Sequence, residues 1–172
     1  MEAIQGNSNI AEYYVKKLVV NLSLAKANEI TAAALKLGGE ANLLPLTIAV
    51  LDAGGNLIAF QRQDGSGIVR QDIATGKAWG ALGMGVSSRT IRDRLKDRPA
   101  FQGAIAAASQ GRFIPVPGGV LICNGDGQVI GAVGISGDAS DKDEYCAVEA
   151  VKAAGFVPHP EEPVKNWDQD GL

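Results

Sequence analysis

Asp72 and Lys77 stand five residues apart in DIATGKA, within a stretch whose apolar residues recur at helical spacing. Lys77 falls beside Ile73, Ala74 and Ala81, on the edge of the apolar stripe. A lysine desolvated there loses proton affinity and could act as a base or bind a carboxylate. The alternative is an amine that snorkels outward into a salt bridge. Upstream, Arg62 leads into Asp64-Gly65-Ser66-Gly67, a Gly-rich loop whose backbone N–H groups could receive an anion at a helix start. The loop matches neither a Walker pattern nor a dinucleotide fingerprint, so nucleotide binding finds no support there.

The segment GRFIPVPGGVLI is a second place for chemistry. Pro115 and Pro117 stiffen it, and Gly118-Gly119 allow its backbone to approach a partner closely. Arg112 and Phe113 enter the loop, so an Arg and exposed N–H groups could hold a carboxylate or a developing oxyanion. Ala132, Gly134 and Ser136 share one face of a later strand, a nearly bare surface that leaves room for a pocket. Arg112, Phe113, Pro117, Gly118, Gly119 and Ser136 are therefore expected to contact a ligand, with Arg62 and Asp64. The competing reading is a strand lead-in that merely packs on that small-residue face.

Three further groups carry charge or ligating power. Arg89, Arg92, Arg94, Lys96 and Arg98 form a basic run that could steer an anion, though such a run is more often a solvated helix face or a subunit contact, and that reading is preferred. Asp138, Asp141, Asp143 and Glu144 cluster at a helix start, where capping and dipole compensation account for them. An acid–base role for Asp143 or Glu144 requires a buried carboxylate. His159, in a Pro-His-Pro arm, is the one histidine; Ser/His/Asp or Cys/His catalysis would depend on it alone.

Charge and composition narrow the classes. A net charge of −3 and a pI near 5.2 argue against nucleic-acid or anionic-membrane partners and leave a small anionic molecule as the expected one. Cys123 and Cys146 lie in apolar stretches without a CxxC pattern, and the N-terminus has no signal-like h-region, so a reduced, cytoplasmic setting is expected. The 22 glycines among 172 residues are the compositional outlier, and they favour close backbone packing.

The elements that must position these groups follow from pattern. Asn21 or Ser23 offers an N-cap to a helix through LAKANEITAAALKLGGEAN. LTIAVLD (46–52) and NLIAFQR (56–62) read as a hairpin, as do GGVLICN (118–124) and QVIGAVGIS (128–136). Between them, helices are expected over 68–85, 87–97 and 98–110. Ser140 with Asp143 three residues on reads as a capping box, and Gly155-Phe156 as a Schellman stop. Residues 1–21 form an N-terminal segment, 22–156 one domain, and 157–172 an extended arm; the type of element in 11–20 stays undecided. The class is α+β.

The ordered series VLDAGGNLIAFQRQDG, DIATGKA, IPVPGGVLI and GQVIGAVGISGDASDKDEYCA resembles the GlcG-like, HbpS-like and PduO C-terminal-like family, often labelled haem-degrading or haem-binding. The resemblance implies a profilin-like fold, with a central antiparallel sheet covered by helices on both faces, and assembly into homo-oligomers. It implies a small-molecule binding protein with haem or another tetrapyrrole as candidate cofactor. With one histidine, iron ligation would fall to His159 of a neighbouring subunit, or to Tyr, Cys or Met. The alternative is a cofactor-independent isomerase or lyase acting on a small carboxylate metabolite of a catabolic pathway. There Lys77, Asp72 or Glu144 would move the proton, while Arg62 or Arg112 and the Gly118-Gly119 backbone hold the charge.

Overall fold

The computed structural model describes residues 19–169 and residue 171. The polar terminus 1–9 and most of segment 11–20 lie outside the described residues.

Helix α1 (Leu24–Glu40) starts at Ser23, whose hydroxyl accepts from the Lys26 N–H, and buries Ala27, Ile30 and Ala34 along one stripe. Strands β1 (Thr47–Asp52) and β2 (Leu57–Arg62) follow as an antiparallel hairpin. The Asp52 carboxylate accepts from the Gly54 and Asn56 N–H groups and so closes the turn locally. Helices α2 (Arg70–Met84), α3 (Ser88–Leu95) and α4 (Pro99–Ala108) come next, the second capped by Ser87 and the third opened by Pro99. A second hairpin of β3 (Gly119–Cys123) and β4 (Val129–Ser136) leads to α5 (Ser140–Ala153).

The sheet extends past the boundary expected at residue 156. Val157–His159 form β5, pairing antiparallel with β3, and the strand order is β2-β1-β4-β3-β5. Helix α5 ends as expected: Gly155 takes φ +85°, its N–H reaches Lys152 O, and the Phe156 N–H reaches Val151 O. Beyond it, a 3-10 turn at Trp167–Gln169 lays Trp167 on Tyr145, with ring centroids 3.7 Å apart and planes within 6°.

Strand alternation divides the core into two layers, with helices on both faces as the α+β expectation required. Ile48, Val50, Val120, Val133 and Ile135 face α1 and α5 and form the larger cluster. Leu51, Leu121 and Ala132 face α2, where Ala78 and Ala81 complete the smaller one. The small-residue face of β4 is not open, which corrects the pocket expected there. A Cβ on Gly134 would lie 1.9 Å from Ala74 O and 2.9 Å from Ala78 N, so the α2 backbone itself occupies that space. The opposite flank of α2 is equally tight, because a Cβ on Gly76 would meet Ile114 and the Arg112 carbonyl. The glycines expected to weaken α2 thus let it pass between the sheet and the 112–114 loop.

Candidate functional site

Two features of α2 matter chemically, and they lie on different sides of it. The inner one is Lys77, which is 1% exposed and does not snorkel. Its Nζ donates to Ile135 O at 2.8 Å and to Asp143 Oδ2 at 2.9 Å, so an ion pair links α2 on one face of the sheet to α5 on the other. Gly118 makes the passage possible. It takes φ +111°, and a Cβ there would lie 2.8 Å from Ile135 O and 3.0 Å from Lys77 Nζ. Burial lowers the Lys77 pKa despite the attraction of Asp143. It also pushes Asp143 up to about 6 against the opposing pull of Lys77.

Asp143 is therefore not the capping-box residue expected. The N-cap is Ala139, with no side-chain cap hydrogen bond, and Ser140 is already inside α5. Lys77 draws the Asp143 carboxylate inward, and its other oxygen accepts from the Asp138 N–H. Asp138 in turn accepts from the Ala139 and Leu44 N–H groups.

Glu144, the next residue, is fully buried, and neither oxygen completes a well-formed hydrogen bond among the described residues. Arg89 Nε stands 3.3 Å from Oε1, while burial drives the acid up to about 7. Arg89 also donates to Glu162 O, Arg92 pairs with Asp93 and lies 3.8 Å from Asp141, and Arg98 covers the Phe101 ring. Much of the basic run is thus engaged within the chain.

The outer feature of α2 is an open groove of about 590 Å³ along edge strand β2. Leu57, Phe60 and Trp79 give it apolar walls, and Gln71, Asp72 and Thr75 form its polar side. Gln110, Gly111 and Arg112 close one end. Arg112 lies over the Trp79 ring, with Cζ 4.4 Å from the centroid, and its Nε donates to Ser109 O. The terminal nitrogens of this guanidinium have no protein partner among the described residues, which suits them to a carboxylate.

Of the residues expected at a site, the structure brings only Asp72 and Arg112 into this groove. Arg62 and Asp64 line a separate, polar recess with Gln63, where Arg62 donates to Ser66 O. Ser136 is buried and accepts from Arg70 at 3.3 Å, and Phe113 packs with Ile91 and Leu95. Pro117, Gly118 and Gly119 are buried; a Cβ on Gly119 would collide with the Lys77 backbone. These residues hold the α2–sheet contact and do not face the groove.

Sequence reasoning missed Trp79, Phe60 and Leu57. Asp72, Thr75 and Trp79 do follow a helical i, i+3, i+7 rhythm, the signal that could have joined them. Leu57 and Phe60 are three apart, which a regular strand puts on opposite faces. An irregularity in the β1–β2 register pairs Phe60 with Ala49 and Leu57 with Leu51, so both face α2.

An α+β domain with a five-stranded antiparallel sheet, helices on both faces and an Arg-closed apolar groove is the class that this geometry defines. Within it, the chain belongs to the HbpS-like family: the family described as haem degrading protein HbpS-like matches residues 22–152. It is 31% identical over 134 residues to an uncharacterized 15.0 kDa protein of Citrobacter freundii from the dhaT-dhaS intergenic region, covering 77% of this chain and 92% of that one. It is 26% identical over 140 residues to the corrinoid adenosyltransferase PduO of the same organism, covering 81% of this chain but 41% of that protein. Among solved structures, a PduOC:heme complex superposes with a TM-score of 0.73 at 26% identity, over 82% of this chain and 99% of that one.

Proposed function

We propose that this chain is a small-molecule binding protein whose groove takes a flat, largely apolar ligand bearing a carboxylate, with haem or another tetrapyrrole as the class. The observation that carries the reading is Arg112 held against Trp79 at the groove wall, a cation beside an aromatic surface. The volume of about 590 Å³ suits such a ligand, and the family and the PduOC:heme relative support a tetrapyrrole. Leu57 and Phe60 would pack on the ring, and Arg112 would hold a propionate. The fit covers the ring and its carboxylates but not an iron: no His, Cys, Met or Tyr lines the groove among the described residues.

The isomerase or lyase reading is left with Asp72 and Arg112, the two of its candidate residues that line the groove. Lys77 has its ammonium engaged twice and shielded from solvent, so a ligand in the groove would not touch it. Self-association remains part of the proposal. Among the described residues edge strand β2 has an unpaired side, and Leu57 on it is exposed, as are Ile68 and Val69 before α2. No helix among the described residues is long and apolar enough to cross a membrane.

Titrating the purified protein with haemin and following the Soret band tests the reading. Saturation at one tetrapyrrole per subunit, weakened by Trp79→Ala and by Arg112→Ala, supports it. Unsaturable absorbance that both variants share with the parent protein overturns it.

A further inference from the structure

We infer that the groove recognises a tetrapyrrole by its ring face and its carboxylates alone, leaving the central metal unligated, so that a metal-free porphyrin is as good a ligand as haem. This rests on the binding reading above and specifies what that site selects.

The groove offers indole, phenyl, alkyl, amide, carboxylate and guanidinium groups. Haem iron in proteins is held by His, Cys, Met or Tyr. His159 is on β5 and the groove is on β2, at opposite edges of a five-stranded sheet. Four inter-strand steps of about 4.8 Å separate them by about 19 Å, well beyond the reach of an imidazole of the same chain; the His159→Ala variant below tests the imidazole of a neighbouring subunit. Cys146 is fully buried in the core between the sheet and α5, on the other face from α2. Cys123 is half-buried on the α2 face, but it ends β3, three strands from β2, and does not line the groove. Tyr145 is on the same helix, stacked against Trp167. Met84 lines an adjoining apolar recess of about 200 Å³ that shares Trp79 with the groove, but it does not line the groove itself.

Among the described residues of one chain, what remains is recognition by shape and charge. Trp79, Phe60 and Leu57 offer contact to a ring whether or not a metal sits at its centre. Arg112 reads a carboxylate on the ring periphery. Neither interaction depends on the metal, so selection falls on planarity, apolar area and anionic edge groups.

The test compares equilibrium affinities for haemin and metal-free protoporphyrin IX on the same protein, with His159→Ala alongside and a Tyr13→Phe/Tyr14→Phe double variant for the two tyrosines that lie outside the described residues. The inference expects the two dissociation constants to agree within about threefold. It also expects both variants to bind haemin as the parent does, and Arg112→Ala to weaken both ligands alike. Haemin tighter than protoporphyrin by about tenfold or more would overturn the inference while leaving the binding reading intact. Loss of the haemin Soret shift in the His159 or Tyr variant would do the same. Failure of both porphyrins to bind would overturn the binding reading and this inference together.

Discussion

Lys77 Nζ donates to Asp143 Oδ2 at 2.9 Å across the end of the sheet, with the two side chains 2% and 1% exposed. The pair joins α2 to α5 from opposite faces, where Gly118 leaves space for the amine. Removing one partner leaves the other buried and uncompensated, a loss of about 3–5 kcal/mol. Lys77→Ala and Asp143→Ala should each lower the urea midpoint strongly. The Lys77→Met/Asp143→Leu double variant should recover much of that loss, because it buries no charge. A double-mutant cycle measured by urea unfolding checks this.

Glu144 gives the chain a pH dependence of definite sign. Burial holds its folded pKa near 7, above the ordinary 4.5, so the folded state keeps this proton more tightly than the unfolded chain. The contribution of Glu144 to stability therefore falls as pH rises from about 4.5 to about 7 and levels off above, by at most about 3 kcal/mol. Glu144→Gln should make that part of the curve of unfolding free energy against pH shallower and nearly level above about pH 6, where Asp143, itself raised to about 6, no longer contributes. A variant with the parent's slope would show that another group titrates there.

Glycine substitutions should separate close approach from mere abundance. Gly134→Ala must push a methyl into Ala74 O, and we expect a loss of about 3 kcal/mol or more, or failure to fold. Gly39→Ala, near the end of α1, meets nothing within 4 Å and should stabilise by about 0.5–1 kcal/mol. Thermal unfolding of the two variants side by side measures the contrast.

The C-terminal arm should contribute to stability through a single aromatic contact. Trp167→Ala removes the stack on Tyr145, worth about 0.5–1.5 kcal/mol beyond simple burial. A lower melting temperature with unchanged porphyrin affinity is expected, because the arm and the groove belong to opposite parts of the sheet.

These relationships were unevenly legible in the sequence. Strand alternation and Asp/Gly turns located both hairpins to within a residue, and Gly155-Phe156 marked the stop of α5, because each signal is local. Strand β5 was hidden in a proline-rich tail of three paired residues, where the pairing with β3 supplies what the pattern lacks. The position of Lys77 beside an apolar stripe was visible, but its partner lay 66 residues away on an element of the opposite layer. The Ala132/Gly134/Ser136 face was correctly seen as bare and wrongly taken as vacant, since side-chain size does not say which backbone will fill the space. The groove escaped because its walls depend on a register irregularity in β2 and on a loop closing over α2.

Trp79 itself offers the most direct measurement of ligand binding in the groove. In a Trp167→Phe background it is the remaining tryptophan, so the emission comes from the residue that the groove shares with the adjoining apolar recess, and Arg112→Ala assigns the quenching to the groove. The account predicts saturable quenching by protoporphyrin IX at one ligand per subunit. It predicts a dissociation constant raised about 10–100-fold by Arg112→Ala, the cost of a charge-assisted hydrogen bond. Porphyrin binding that saturates without changing Trp79 emission, or with an affinity indifferent to Arg112, would contradict it.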